Sequence, residues 1–443
     1  MFKQKLQRAA AAIMALSLAF AMQLPALACS GLELTSAEGD PYWFRTCDMD
    51  DTYNVFGENG SYIQPSYLVS YPAGQPIEFT TGAVTPAHTI IGMSFSDSLA
   101  MLDGINDTGL VGGLLFLNEG TQTATEDIPE DFETLAAMEG ITWFLAQCKD
   151  VDEVVALANR TCMQALYVDG IPGSDLSATL HFTFVDSNGK SVILETGDPT
   201  QPGRFVITES IGVMTNSPTY DVQLENLKNY IGSAPELRSQ DITSLTLKGQ
   251  TIEGTPTGTD RTFPASNAAY DRFTRLAVTR ALCDEGSAIP NAEMLSKGSG
   301  IFAGINVPND NGKGTYYYDA LTETGEVEGA APCYTQYTVC YDIARRTLAI
   351  RPYDTLLWTT LSIEDADPAA RVTYPILRGE AGGTVSALSV NAPATQPETT
   401  PETTPAPEAP ASSGTNTALA VACGVLAVAV IILAVLLLRK KNA

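Results

Sequence analysis

Residues 29–48 read CSGLELTSAEGDPYWFRTCD, and this stretch has the clearest strand pattern of the chain. Leu32 and Leu34 alternate with polar neighbours, and after the turn-forming letters AEGD the alternation resumes at Tyr42 and Phe44. An alternation with a period of two, interrupted by a glycine-containing turn, predicts a β-hairpin. We therefore expect two antiparallel strands at this point of the chain.

The register of this hairpin is expected to bring chemically useful side chains together. With the tip at Glu38-Gly39, Cys29 is expected to lie opposite Asp48, with Arg45 about one pair further in. The register of the hairpin alone thus predicts that the Cys29 thiol lies beside the carboxylate of Asp48 and the guanidinium of Arg45.

The residues before Cys29 have the pattern of a secretory leader. Three basic residues precede an apolar run over 9–27, and the letters ALA stand directly before Cys29. A basic start, an apolar run and a small-x-small site predict a signal peptide over 1–28. Its removal would make Cys29 the first residue of the mature chain. A lipoprotein signal, in which Cys29 receives lipid, is the competing interpretation.

The other end of the chain predicts an anchor. Residues 386–417 contain QPETTPETTPAPEAPASSG, a composition that favours a disordered stalk. Residues 418–438 carry no charge and suffice for a transmembrane helix across a ~30 Å hydrocarbon core. The basic tail at 439–443 would then be cytoplasmic, which makes 29–385 an extracellular domain of a secreted, membrane-anchored protein. A cell-wall sorting signal has a similar layout, but no LPxTG precedes the apolar run.

Composition excludes several classes of protein. The 443 residues carry 25 Lys and Arg against 51 Asp and Glu, a net charge of −26, which argues against a nucleic-acid binder. There are only two histidines, so mechanisms that need a His base or several His ligands are disfavoured. Seven of the eight cysteines lie outside the predicted span, so one is expected to stay free, and the pairing of the others is open.

The domain over 29–385 mixes strand and helix patterns. Further strands are predicted over 89–96, 181–186, 191–195, 204–208, 335–341 and 347–352. Helices are predicted over 132–147, 151–159, 220–230 and 267–283. Runs of strands interrupted by grouped helices predict an α+β fold with helices packed on antiparallel sheets.

As a first residue, Cys29 would combine a nucleophile and a base. An α-amine has an ordinary pKa of ~7.7–8.0, so it can accept the thiol proton without any histidine. This suits a chain with almost no histidine. An ordinary buried cysteine, or a lipid attachment site, is the alternative interpretation of Cys29.

The opening stretch resembles the choloylglycine hydrolase family, which contains bile salt hydrolases and penicillin V acylases and belongs to the N-terminal-nucleophile hydrolases. The family opens with Cys, a strand, a Gly-containing turn, an aromatic strand and Arg-Asn-x-Asp. Cys29, Arg45 and Asp48 match this pattern in spacing, whereas Thr46 stands where the family usually has Asn.

Three further stretches are similar to the same family. Asn216 in VMTNSPTYDVQLENLKNY matches its functional Asn, and Arg272 in AAYDRFTR matches the first Arg of its Ser-x-Arg-Phe-x-Arg stretch. The letters NDTGL at 106–110 resemble its Asn-Glu-x-Gly-Leu, which leads into a second strand near the active site. In that strand GLLF stands where bile-salt members often carry Gly-Leu-Asn-Phe, so the Asn is missing. A backbone N–H at Leu115 or Phe116 can still donate to an oxyanion.

The resemblance implies a fold and a reaction. The implied fold is α+β, a four-layer αββα sandwich of antiparallel sheets. The implied reaction is hydrolysis of a linear amide C–N bond in a conjugated bile salt, penicillin V or another N-acyl amide. The resemblance implies no metal or cofactor, and the partner is the small-molecule substrate. The membrane is a second partner through the C-terminal helix predicted above. Members of the family are often homo-oligomers, commonly tetramers, so the same assembly is an expectation for this chain.

The resemblance also implies a role for each matched residue. Cys29 would supply the nucleophile and, through its α-amine, the base, and Asp48 would support that amine. Arg45 would lower the pKa of the thiol. Asn216 and a backbone N–H near Leu115 would form the oxyanion hole, and Arg272 would support this network. Taken singly, Arg45 and Asp48 are also typical of a structural ion pair, and Arg272 of a solvated helix face. A surface-displayed binding module, or a lipoprotein lipidated on Cys29, is the alternative to an enzyme.

Overall fold

A computed structural model describes most of the predicted domain. The described residues are 29–50, 67–94, 99–165, 180–233, 243–257, 262–286, 289–307, 333–352, 355–374 and 388–389. The predicted signal peptide, transmembrane helix and tail lie outside them, as does the predicted stalk apart from Leu388–Ser389. Within the described part of the chain, no helix combines the length and apolarity needed to cross a membrane.

Strands make up most of the regular structure. In chain order they are β1 (Ser30–Thr35), β2 (Pro41–Asp50), β3 (Tyr67–Tyr71), β4 (Ile77–Phe79), β5 (Gly82–Val84), β6 (Ile90–Ser94), β7 (Met101–Asn106), β8 (Val111–Phe116), β9 (Glu133–Leu135), β10 (Thr161–Met163), β11 (Leu180–Val185), β12 (Ser191–Glu195), β13 (Val206–Glu209), β14 (Val213–Met214), β15 (Ser244–Leu247), β16 (Gln250–Glu253), β17 (Cys333–Asp342), β18 (Thr347–Pro352), β19 (Thr359–Ser362), β20 (Val372–Tyr374) and β21 (Leu388–Ser389). The α-helices are α1 (Gly140–Gln147), α2 (Val151–Ala158), α3 (Tyr220–Ile231), α4 (Ala269–Gly286) and α5 (Asn291–Ala303).

Two large sheets organise these strands. The first has the order β14-β1-β2-β17-β18-β19-β21, and the second has the order β13-β12-β11-β8-β7-β6-β3-β20. Neighbouring strands in both are antiparallel, except that β21 runs parallel to β19. The predicted α+β class with antiparallel sheets is therefore confirmed.

Glycines show how the layers stack. Trp43 of β2 lies so close to Gly113 of β8 that a side chain at Gly113 would collide with the indole ring, which joins the two sheets face to face. On the opposite face of β2, Phe44 packs against Gly298 of α5 and stacks on Phe302 with ring centroids 5.9 Å apart. The helix layer on the second sheet is formed by α1 and α2, which contact β7, β8, β11 and β12. The order of layers is helix, sheet, sheet, helix, as the family resemblance implied.

The predicted helix over 132–147 is only half correct. Helix α1 begins at Gly140, and the residues before it form strand β9, which pairs in parallel with β10. The backbone N–H of Glu133 bonds to the carbonyl of Arg160 at 2.8 Å. Tertiary pairing therefore overrides the local helical pattern here. The other predicted helices and strands are present, with ends shifted by a few residues.

Candidate active site

The β1–β2 hairpin sets the position of Cys29, and its register differs by one residue from the predicted one. Ser30 pairs with Thr46, so Cys29 continues the ladder opposite Cys47 and not opposite Asp48. Because side chains alternate between faces, Cys29 and Cys47 share a face and Asp48 lies on the other.

The hairpin turn explains this register. Strand β1 ends at Thr35 and β2 begins at Pro41, so the loop is longer than the tight Glu38-Gly39 tip that was predicted. The N–H of Ser36 bonds to the carbonyl of Asp40 at 2.9 Å, and Gly39 adopts φ +92° inside the loop. A positive φ at this position favours glycine, and with it the loop closes between Ser36 and Asp40, one residue earlier along β2 than predicted.

The Cys29 thiol lies in an electropositive and fully buried environment. Its Sγ is 3.5 Å from Nη2 of Arg45. A hydrogen bond from the Cys47 thiol, the charge of Arg45 and the backbone N–H of Asp48 together lower the pKa of Cys29 to about 5, against the opposing effect of burial. The sulfur is therefore a thiolate at neutral pH, which is the reactive form of cysteine.

A buried carboxylate, itself held by two tyrosine hydroxyls, keeps Arg45 in place. Its Nη1 pairs with Asp103 Oδ2, and the hydroxyls of Tyr337 and Tyr341 donate to the two oxygens of the same carboxylate at 2.5 Å each. Nη2 also donates to the carbonyl of Leu114 at 2.7 Å. The carboxylate partner of Arg45 is thus Asp103, which corrects the alternative of an ion pair with Asp48.

A second buried arginine holds the backbone of the first residue of the domain. Arg272 of α4 donates from Nη1 to the carbonyl of Cys29 at 2.7 Å and to Ser30 Oγ, and from Nη2 to Asn216 Oδ1 at 3.0 Å. The same Asn216 oxygen accepts from the backbone nitrogen of Cys29 at 2.5 Å. Only 1% of the Arg272 side chain is exposed, so the alternative of a solvated helix face is wrong.

Asp48 lies beside this backbone network on the helix-facing side of β2. Its Oδ1 accepts from Thr335 Oγ1 at 2.6 Å, and its Oδ2 is 3.9 Å from Arg272. Burial raises the pKa of this carboxyl to about 7, although Arg272 and Thr335 oppose the rise. Oδ2 has no hydrogen-bond partner among the described residues. It therefore has capacity for one further donor.

The oxyanion candidates on β8 differ in direction. The carbonyl of Phe116 accepts from Asn216 Nδ2 at 3.2 Å, and the carbonyl of Leu114 accepts from Arg45, so the polar groups of both residues face the site. Backbone polar groups alternate in direction along a strand. Those of Leu115 therefore face β11, where this residue pairs with His181. Phe116 is the backbone donor that can reach the site.

The structure brings all five predicted catalytic residues together, namely Cys29, Arg45, Asp48, Asn216 and Arg272. The residues that the sequence reasoning missed are Cys47, Asp103, Tyr337 and Tyr341. Strand alternation could have placed Tyr337 and Tyr341 on one face of the predicted strand. No sequence signal identified Asp103 as their common partner, because the contact joins two different sheets. Among the described residues, no three His, Cys, Asp or Glu side chains are arranged to hold a metal ion.

Known proteins share both this sequence and this fold. Residues 29–373 match the family model of linear amide C–N hydrolases, choloylglycine hydrolase family. The chain is 28% identical over 356 residues to the conjugated bile acid hydrolase of Lactobacillus acidophilus, which covers 78% of this chain and 100% of that protein.

Solved structures agree on the architecture. A variant of the conjugated bile acid hydrolase from Clostridium perfringens superposes with a TM-score of 0.59 and 21% identity, covering 82% of this chain and 100% of that one. The penicillin V acylase from Agrobacterium tumefaciens has a TM-score of 0.51 and 19% identity, covering 76% and 86%. At these identities the structures establish a common fold, and the family model spans the residues that form the site. The chain therefore belongs to the choloylglycine hydrolase family and is a linear amide C–N hydrolase.

Proposed function

We propose that the mature chain begins at Cys29 and hydrolyses an N-acyl amide by acyl transfer to its Sγ. The observation that carries this proposal is that the sulfur and the backbone nitrogen of Cys29 are both held in the site. The Cys29 sulfur lies 3.5 Å from Arg45, and its backbone nitrogen lies 2.5 Å from Asn216 Oδ1. A nucleophile and its own amine would thus meet the substrate together.

In the first step the Cys29 thiolate attacks the amide carbonyl. The α-amine, which takes up the thiol proton, returns a proton to the leaving amine nitrogen as the C–N bond breaks. Water then attacks the thioester, with the same amine as general base, and releases the acid and the free thiol.

Asn216 is suited to stabilise the oxyanion because its amide orientation is determined. Arg272 can only donate, and the Cys29 nitrogen also donates, so the oxygen of Asn216 must face them both. Nδ2 is then directed to the opposite side, toward Phe116. This Nδ2–H and the N–H of Phe116 would form the oxyanion hole, where loss of one donor typically costs on the order of 10²–10³ in rate.

Asp48 would orient the amine once the leader is removed. An α-ammonium has more N–H groups than the peptide nitrogen that precedes it in the longer chain. Asp48 Oδ2 is a buried carboxylate oxygen that still lacks a donor among the described residues. A charged amine beside Asp48 would also hold the pKa of this carboxyl lower than burial alone does.

Conjugated bile acids are the first substrate class to test. The chain matches a conjugated bile acid hydrolase over the whole length of that protein, and the missing Asn at GLLF removes one polar contact expected in bile-salt members. We therefore propose that the acyl group, and not the released amino acid, dominates specificity. Penicillin V and other N-acyl amides complete the panel. The leader and the anchor over 418–438 would display this activity on the outer face of the membrane.

The test begins with the intact mass and N-terminal sequence of the processed protein, which should start with free Cys29. Cys29→Ala should abolish turnover while the protein stays folded, and a form with one uncleavable residue before Cys29 should be equally inactive. Cys340→Ser, at another buried thiol that is outside the site, is the matched control and should keep its activity. Normal turnover by the extended form, or lipid on Cys29, would overturn the proposal.

A further inference from the structure

A second thiol stands directly across the hairpin from the nucleophile. Continuing the β1–β2 register by one pair places Cys29 opposite Cys47. Opposed residues in antiparallel strands have Cα atoms about 4.5–5.5 Å apart. This separation lies inside the range of about 4.4–6.8 Å that disulfides span. The backbone therefore permits a bond between the two sulfurs without moving either strand.

The two side chains also share a face and a buried setting. Cys29 and Cys47 are each 1% exposed, and both point into the space between the sheets, as Arg45 does. Arg45 stabilises negative charge on Cys29, whereas burial raises the pKa of Cys47 well above its ordinary value. One sulfur is a thiolate and the other a neutral thiol, which is the arrangement of a reactive and a resolving cysteine.

Other buried thiols that the structure describes lie in other parts of the fold, among them Cys162 on β10, whose sulfur donates to Thr123 Oγ1 at 3.3 Å. Cys29, Cys47, Cys148, Cys162 and Cys340 form no disulfide in the described part of the chain, so more thiols than the one that the odd count requires stay unbridged. Cys340 lies opposite Phe44 and so faces the helix layer, while Cys148 follows α1 on the far side of the second sheet. Among the buried thiols that the structure describes, Cys47 is the one that lies opposite Cys29 in the hairpin and can resolve its oxidised form.

We propose that Cys47 is the resolving thiol of the active site, and that a hydroperoxide converts Cys29 and Cys47 into a disulfide that reversibly switches the enzyme off. The regulatory role rests on the proposed function, because only a nucleophilic Cys29 is inactivated by the bond. A path that admits an amide carbonyl to Sγ also admits a molecule as small as hydrogen peroxide.

The chemistry balances without a cofactor. The Cys29 thiolate attacks one oxygen of hydrogen peroxide, the O–O bond breaks, and the sulfur becomes a sulfenic acid while hydroxide leaves. The Cys47 sulfur then attacks the sulfenic sulfur, and its proton leaves with the displaced hydroxide as water. In sum, two thiols and one peroxide give one disulfide and two waters. A dithiol reductant reverses the bond by exchange.

The test uses the processed full-length protein treated with hydrogen peroxide and then with dithiothreitol. We expect activity to fall and then return almost completely. Intact mass should show loss of two hydrogens after peroxide, and peptide mapping should find residues 29 and 47 joined. Cys47→Ser keeps the shape of the side chain but removes the resolving sulfur. In this variant, normalised to its own untreated activity, excess peroxide should carry Cys29 past the sulfenic acid to the sulfinic acid, which adds two oxygens in the intact mass. Dithiothreitol does not reduce a sulfinic acid, so it should restore little activity.

Cys340→Ser is the matched control and should behave like the natural protein throughout. Full recovery by dithiothreitol in Cys47→Ser, or a peptide map of the oxidised natural protein that lacks the 29–47 link, would overturn the proposal. The map does not depend on turnover, so the two proposals fail separately. A 29–47 disulfide in a protein without amide hydrolase activity would refute the proposed function and its switch, whereas an active protein that forms no link refutes the switch alone.

Discussion

Arg45 and Arg272 are both buried in the site, yet they are held in different ways. Arg45 pairs with the fully buried carboxylate of Asp103, so its charge is neutralised locally. Arg272 is held by uncharged oxygens of the backbone and of Ser30 and Asn216, and its nearest carboxylate in the described residues is 3.9 Å away. The first arginine also lies 3.5 Å from the Cys29 sulfur and lowers the pKa of that thiol, whereas the second fixes the geometry of the backbone and the amide.

The largest expected effect is on stability and separates the two arginines. Arg45→Met leaves Asp103 charged and without its cation, and breaking a buried pair costs about 3–5 kcal/mol. Arg272→Met should cost less, because Asp48 already has a pKa of about 7 and can take up a proton. Urea unfolding measures both free energies.

The double variant Arg45→Met with Asp103→Asn should regain much of the lost stability, since no buried charge is left unpaired. Arg345→Met, at an exposed arginine paired with Asp342, is the control and should lose at most about 1 kcal/mol. Equal losses for the Arg45 and Arg272 variants would remove the distinction between the two sites.

The second effect is on catalysis and concerns Arg272. Its loss frees the Asn216 amide to rotate and the Cys29 carbonyl to move, and small misplacements of reacting groups lower rates on the order of 10²-fold. We expect Arg272→Met to lower kcat more than it raises KM. Arg275→Met is the matched control on the same helix, because that side chain binds the carbonyls of Pro264 and Ser266 outside the site. A kcat that falls equally in both variants would contradict a specific role for Arg272.

The third effect is the pH dependence of thiol alkylation. Iodoacetamide should react with Cys29 at a rate that rises with pH through a midpoint of about 5, because only the thiolate reacts. Burial raises the pKa of Cys148 to about 12 and that of Cys340 well above its ordinary value, so both stay protonated in mildly acid solution.

Arg45→Met should move this midpoint upward, since the lost positive charge had favoured the thiolate. In Arg272→Met the midpoint should stay near its original value. A midpoint that moves equally in both variants would show that the two arginines have the same effect on the pKa of the Cys29 thiol.

The smallest effects come from the tyrosines that hold Asp103. Tyr341→Phe removes one donor to the buried carboxylate and should lower the unfolding free energy by about 1–3 kcal/mol. Tyr337→Phe should cost a similar amount. Because the Tyr337 hydroxyl also accepts from Arg45 at 3.3 Å, its loss should additionally shift the alkylation midpoint. An unchanged midpoint in Tyr337→Phe would confine both tyrosines to a role in stability.

Much of the site was predictable because its residues sit in local patterns. The hairpin, the turn before β8 and the segment that leads into α3 each have short-range signals. They position Cys29, Phe116 and Asn216 along the chain. The register of the hairpin was not predictable to one residue, because the loop from Ser36 to Asp40 closes through a left-handed glycine. That single residue decides whether Cys47 or Asp48 faces the nucleophile.

Periodicity, turn chemistry and motif spacing in the sequence were enough to assign the fold class and the family. They also predicted the five site residues, which are Cys29, Arg45, Asp48, Asn216 and Arg272. The partners of those residues became known only from the packed layers. Asp103 reaches Arg45 from the other sheet, and Cys47 lies beside Cys29 through strand register. Such contacts join positions far apart in the chain or depend on a one-residue shift, and they form because buried charges and polar groups must find partners when the layers pack.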